Sequence, residues 1–409
     1  MSLKTRGLLV LAIGLIMGLA LPLGGQLLAE RGAREAQSHG LSDEQARQIA
    51  EVMDRVRAEY MEPIDDATLV EGAIRGIVGS LDRHSQYLDS KEYEDVRISA
   101  TGNYTGVGLE VGIRDGAITV LAPMADSPAA KAGAQAGDII AMIDDQPVEP
   151  GNLPAAVAAL RGRPGSDVAI VVARPGEAEP LTLNVTREHI RLSSVHAELL
   201  DTGVAYLRLR QFNDETAREI TGAIETLRKQ QPVFAGAILD MRNNPGGVLE
   251  AAVAVSDLFL ETGGIVAGEG RNQGSSFHYE AGPGDILHDV AMVVLVNNYS
   301  ASAAEIVAGA LQDNKRATVL GTQTFGKGVV QTVMPLTQGR AIKLTTSEYL
   351  TPAGKKINGV GITPDVVVDD SQPHPYHGVL PHADAANDPQ LLEALRQLQS
   401  LRLVHSGPE

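Results

Sequence analysis

The 409-residue sequence has no cysteine and no tryptophan, and only 9 Tyr and 5 Phe. Without cysteine there is no thiolate nucleophile, no Cys-ligated zinc or iron–sulfur centre and no disulfide. That absence does not fix the compartment, because an exported protein can lack bridges. Basic residues are also short: 34 Lys+Arg stand against 51 Asp+Glu, a net charge of −17. This balance argues against a nucleic-acid partner, which needs a basic footprint. The sequence holds neither H-E-x-x-H nor G-x-S-x-G. Chemistry must come from Ser, Thr, His, Lys, carboxylates or backbone groups. What is present is ordinary: 44% apolar residues support globular cores, and the length predicts two or three domains.

Location is read from the start of the chain. Lys4 and Arg6 precede a run of about 21 apolar residues, 8–28. A basic start followed by an apolar stretch is the layout of an export signal, and this one is long enough to span a bilayer. Gln26-Leu27-Leu28-Ala29 is a poor cleavage site. Residues 1–29 are therefore a signal peptide or a membrane anchor, and the protein is expected to be periplasmic or otherwise exported, with an inner-membrane anchor left open.

Residues 30–99 read as an N-terminal helical region, part of the core or of an oligomer interface. A linker leads to a capping box, Ser42 to Gln45, and to a helical stripe of Ile49, Val52, Met53 and Val56. Pro63 ends that helix and a second begins near Asp66. Two short amphipathic helices cannot bury themselves, so they pack on a larger body or on another subunit. From residue 100 the texture becomes strands and glycines. The order is Gly106-Val107-Gly108-Leu109 before a strand, a strand over 117–122, a small-residue helix over 127–133, a Gly137-Asp138 turn into a strand, a helix over 153–160 and a strand over 167–173. This resembles a PDZ domain, over about residues 100–188. In such domains the glycine-rich segment is the carboxylate-binding loop, where successive N–H groups cradle an anion and a peptide adds to the strand edge.

Residues 189–370 alternate strand and helix patterns, which predicts an α/β core with short antiparallel strands over 329–335, 341–346 and 348–351. The fold class expected is α/β: a mixed-sheet core with an inserted PDZ domain and helical ends. Residues 371–409 read as a long loop and an oligomerisation helix capped by Asp388-Pro389, with Leu391, Leu392, Leu395, Leu398 and Leu401 on one stripe. Within the loop, His374, His377 and His382 lack a helix to set ligand spacing, so no metal is expected.

Two patterns compete around Lys327. Gly321 to Lys327 reads G-x-x-x-x-G-K after a strand, and Ala237-Ile238-Leu239-Asp240 resembles a Walker B strand. However, Gly328 stands where the magnesium-binding hydroxyl belongs, and β-branched residues follow where a helix is needed. Alternatively, Lys327 lies among the apolar Phe325, Val329 and Val330, and a buried lysine loses its charge and becomes a base. Its client would be a hydroxyl at a helix start, and Ser302 occupies such a place. Locally, Ser302-x-x-Glu305 reads first as a capping box and Lys327 as a surface lysine.

A wider pattern decides between these. Residues 297–311 and 321–331 are similar to the carboxyl-terminal processing (tail-specific) serine proteases, whose pattern is a Ser–Lys dyad with a Gln four residues after the Lys. Ser302, Lys327 and Gln331 match it, and residues 80–88, 239–247, 351–354 and 359–365 match further motifs in order. The resemblance spans about residues 45–370. It implies that Ser302 attacks the peptide carbonyl, Lys327 takes its proton and Gln331 orients the amine. It also implies that the Ala303 N–H, with that of Gly246 or Gly247, receives the oxyanion. No cofactor is implied. Implied partners are protein substrates held by their C-termini, a homo-oligomer (a dimer or an assembly of dimers), and room for a lipoprotein adaptor with helical repeats. Substrates would be envelope proteins, cell-wall hydrolases among them. The competing class is a catalytically silent PDZ-type envelope adaptor, but both dyad residues are present. Arg174 reads first as a solvated residue before a Pro-Gly turn; the sharper alternative makes it a latch in PDZ gating.

Overall fold

The computed structural model describes residues 40–369 and 387–405. The apolar run 8–28 and His374, His377 and His382 lie outside them. No helix among the described residues is long and apolar enough to cross a membrane.

The chain divides into two compact units, the first ending at Ile77. In it, helix α1 (Asp43–Glu59) opens with the expected capping box, Gln45 N–H donating to Ser42 Oγ and Ser42 N–H to Gln45 Oε1. Helix α2 (Asp66–Gly79) follows. No residue of α1 is buried, and Val52 keeps 63% of its surface exposed.

The second unit begins with strand β1 (Gln86–Leu88) and helix α3 (Ser90–Thr101). Strand β2 (Asn103–Gly106) then leads into the PDZ fold: β3 (Leu109–Arg114), β4 (Ala117–Pro123), α4 (Pro128–Lys131), β5 (Ile139–Ile143), β6 (Gln146–Pro147), α5 (Leu153–Leu160), β7 (Asp167–Ala173) and β8 (Leu181–Thr186). Its sheet has the order β3-β4-β5-β7-β8, with β6 on β5. Strand β9 (Glu188–Arg191) returns beside β2 as an antiparallel ribbon, so chain entry and exit are paired. The domain has its own core, in which Val120, Ile170 and Val172 are fully buried.

The remaining elements in order are β10 (Val195–Leu199), β11 (Val204–Leu209), α6 (Thr216–Gln230), β12 (Gly236–Asp240), α7 (Leu249–Phe259), β13 (Gly264–Gly270), β14 (Phe277–Glu280), β15 (Met292–Val296), α8 (Ala303–Asp313), β16 (Thr318–Gly321), β17 (Val329–Pro335), β18 (Ala341–Leu350), β19 (Val366–Val367) and α9 (Pro389–His405). The main sheet runs β10-β11-β12-β15-β16-β19, parallel except for β10. Strands β12 and β15 are buried at every position, as parallel strands covered on both faces must be. Alternate residues sort by face. Ala205, Leu207, Leu209, Val294 and Val296 join the core that includes buried residues of α6, α7 and α8. Val204, Tyr206, Val293 and Leu295 join a second core with Leu391, Ala394 and Leu398 of α9. A second sheet centres on β18, which pairs with β1, β13 and β17, while β14 extends β13. The 341–346 and 348–351 strands of the sequence reading are one continuous strand through Leu350, because partners along its length satisfy the backbone.

The α9 stripe is a correction. Sequence reading left it exposed for self-association, but Leu391 and Leu398 are 1% exposed and cover one face of the chain's own sheet. An all-apolar parallel sheet needs both faces covered, and α6–α8 cover only one. Arg242 ties the helix down: it pairs with Asp240 at 2.7 Å and with Asp388 at 2.7 Å. Burial alone would raise the Asp240 carboxyl, but Arg242 and Arg208 hold it at about 2. Leu398→Ala is expected to cost about 3 kcal/mol in chemical denaturation, because it opens a cavity against the sheet, with no change in mass by light scattering.

Candidate active site

A cavity of about 720 Å³ is lined by Phe212, Gly247, Ser302, Lys327, Gln331 and Tyr349, among others. Strand ends, a helix start and a sheet edge converge here.

Ser302 stands at the turn between β15 and α8, with φ 56° and ψ −115°. A non-glycine residue there is strained by roughly 1–3 kcal/mol, so the surroundings must hold it. They do so on each side. Asn297 N–H donates to Ser300 Oγ, which donates to Met241 O at 2.8 Å. Ala301 N–H donates to Asn244 O at 2.9 Å, and Phe325 N–H to Ser300 O at 3.0 Å. Ser302 itself is 8% exposed, and its hydroxyl meets the buried Tyr349 phenol, whose proton affinity burial raises.

The oxyanion expectation is narrowed. Gly246 N–H is committed to Asn244 Oδ1 at 2.8 Å, so it cannot be the second donor. Ala303 N–H and Gly247 N–H have no acceptor among the described residues. Gly246 serves by its small size: at φ 102°, a Cβ there would lie 2.7 Å from Ala301 O and 2.8 Å from Ser302 Cβ.

Lys327 enters on the loop before β17. A strand follows, which removes the phosphate-loop alternative, and Gly328 is explained by its close approach to the Asn358 backbone. Burial, then the nearby Lys343, push the Lys327 amine below the ordinary lysine value, against Glu305, which raises it. Gln331 Nε2 donates to Val329 O at 3.4 Å. Ser302, Lys327 and Gln331 thus share one cavity, but among the described residues no hydrogen bond joins their side chains.

Sequence reading saw Glu305 only as a helix cap. It is fully buried and joins the two halves of the site. Oε2 accepts Ser302 N–H at 2.8 Å and Lys327 N–H at 2.9 Å; Oε1 accepts Thr324 Oγ1–H at 2.6 Å and Gly326 N–H at 2.7 Å. Its only sequence signal was the Ser-x-x-Glu spacing. Tyr349 was read as an ordinary strand residue and had no signal.

In the PDZ domain, Val107 and Leu109 pack into the core, and the Gly108 carbonyl accepts Ser127 Oγ–H at 3.0 Å. Burial raises the Tyr104 phenol, while Arg161 over its ring and the nearby Gly108 N–H oppose the rise. Gly106 is buried beneath the same tyrosine. Arg174 is neither solvated nor a latch to the core. Its guanidinium takes both oxygens of buried Asp138, at 2.7 and 2.8 Å, and Gly133 O at 2.8 Å, so it braces the Gly137-Asp138 turn.

A PDZ domain inserted into an α/β core, whose cavity brings a strained serine together with a half-buried lysine, fits a serine peptidase. Comparison with known sequences makes this specific. Residues 203–368 match peptidase family S41, residues 119–174 a PDZ domain, and residues 24–92 the N-terminal domain of the activating protease CtpB. The carboxy-terminal-processing protease of Bartonella bacilliformis is 42% identical over 336 residues, covering 82% of this chain and 77% of that protein. The carboxy-terminal processing protease CtpA of Bacillus subtilis is 33% identical over 349 residues, covering 85% of this chain and 73% of that protein. Among solved structures, a photosystem II D1 C-terminal processing protease aligns with 33% identity over 78% of this chain and 86% of that one, at a TM-score of 0.46. The chain belongs to peptidase family S41 and is a carboxy-terminal-processing serine protease.

Glu305→Gln tests the junction. Each oxygen receives a backbone N–H, so the amide nitrogen must face a donor in either orientation. We expect a loss of about 2–3 kcal/mol in denaturant unfolding, with peptide hydrolysis falling further than the unfolded fraction explains.

Proposed function

We propose that this peptidase hydrolyses peptide bonds with Ser302 as nucleophile, Lys327 as general base and Gln331 as the residue that orients the amine. The observation that carries this reading is one strained serine at a helix start, sharing a cavity with a half-buried lysine whose charge burial disfavours. The Ser302 hydroxyl gives its proton to the neutral amine as the oxygen attacks the carbonyl, and the acyl-enzyme is then released by water. The unpaired N–H groups of Ala303 and Gly247 receive the oxyanion. Catalysis requires Lys327 Nζ to swing into hydrogen-bond reach of Ser302 Oγ, a tightening common when substrate binds.

Ser302→Ala and Lys327→Ala are each expected to abolish hydrolysis with folding intact by circular dichroism, and Gln331→Ala to lower it less. The rate should rise with pH as Lys327 loses its proton and level off below the ordinary lysine range. Full activity in Lys327→Ala would overturn the base.

In this reading the protein is exported, acts on envelope proteins, and captures substrate C-termini at the loop Gly106 to Leu109. A peptide with a free apolar C-terminus is expected to raise the hydrolysis rate and its amide to leave it unchanged, followed with a protein substrate. Self-association falls to the N-terminal helices, where Ile49, Val52, Met53, Val56, Leu69 and Ala73 line an apolar groove. A lipoprotein adaptor remains a proposed partner.

A further inference from the structure

Lys327 shares its cavity with a second ammonium, that of Lys343 in β18. Strand register brings it there. Lys343 pairs with Val333 and Thr345 with Gln331, so alternate residues of β18 share a sheet face with Gln331. On its other side Lys343 pairs with Gln86 of β1. The chain has far more carboxylates than cations, yet among the described residues none pairs with Lys343. Among the described residues its ammonium has one hydrogen-bond partner, the neutral Gln86 Oε1, at 3.5 Å.

We propose that Lys343 is a positioning residue for hydrolysis that acts through Lys327: its positive charge, fixed on the Gln331 face of β18, biases the Lys327 amine toward the neutral form that can accept the serine proton. This rests on the reading of Lys327 as the base. Two ammonium groups in one half-buried cavity repel, and one is favoured to give up its proton. Lys327 is that one, since burial already works against its charge and Lys343 adds to it.

The other ionisable groups around Lys327 fit this division. Glu305 of α8 favours the charged amine and is the one opposing influence. Before β1, burial above all lowers His84, so at neutral pH it brings little positive charge. Asp82 is held by Ser85 and Thr345. Asp95 of α3 is paired with Arg161. Glu250 of α7 and the Tyr349 phenol complete the lining.

The test is the pH dependence of kcat/KM for full-length wild type, Lys343→Met, Lys343→Gln and Lys343→Arg on one chromogenic peptide. The neutral variants should shift the rising limb to higher pH, with about a fivefold loss at pH 7 that closes toward alkaline pH. Lys343→Arg should follow the wild type. Added salt should move the wild-type limb toward that of Lys343→Met and leave the variant nearly still. A loss by the same factor at every pH, a limb that does not move, or an Arg variant that behaves like Met would overturn the inference and assign Lys343 to packing or substrate contact. Thermal unfolding of each variant identifies any that misfolds, and the second neutral variant then carries the test. Lys327→Ala, assayed alongside, separates the two readings. If it is inactive while the Lys343→Met limb is unmoved, only this inference fails. If it is active, the base itself is wrong.

Discussion

One buried carboxylate organises the site. Glu305 accepts hydrogen bonds from Ser302, Thr324, Gly326 and Lys327, donors on two segments far apart in sequence. In a dry interior each of those donors would otherwise be unsatisfied, so the two segments can stay buried together only with this acceptor between them. The strained turn at Ser302 and the loop that presents Lys327 are therefore one rigid unit. Carboxy-terminal processing needs such rigidity: a nucleophile displaced by an ångström loses most of its advantage.

A second buried carboxylate does similar work at the other end of the same loop system. Asp240 ends β12, and the segment 241–247 that braces the Ser302 turn follows directly. Tyr206, Arg208 and Arg242 surround its oxygens, and Arg242 carries the connection on to Asp388 at the start of α9. The last helix is thus coupled to the strand end that supports the site. Removing Asp240 or Arg242 would leave a buried charge with only part of its compensation, costlier than a lost surface pair.

The PDZ domain is joined differently. Its core is separate from that of the main sheet, and the chain enters and leaves through the β2–β9 ribbon. Beyond that ribbon, Arg161 bridges to Asp95 on α3, a helix that lines the catalytic cavity, while packing over Tyr104. Few contacts of this kind let a domain reorient without disturbing either core.

By itself the sequence determined the α/β class, the PDZ insertion, the α1 capping box, and Ser302, Lys327 and Gln331 as candidates. Those signals are local: apolar periodicity, turn glycines, caps and short motifs with set spacing. Only the tertiary structure decided which polar groups remain available. Gly246 and Gly247 are adjacent glycines in one motif, yet the Gly246 N–H is taken by Asn244 and the Gly247 N–H is not. Arg174 looks solvated in sequence, but its partner Asp138 lies 36 positions away. The α9 stripe reads equally well as an interface or as a lid on the chain's own sheet, since periodicity marks an apolar face without saying what covers it. Glu305 and Lys343 were hidden for the same reason. A carboxylate's donors and an ammonium's neighbours are set by strand register and loop crossing, and long-range pairing leaves no local trace in the order of residues.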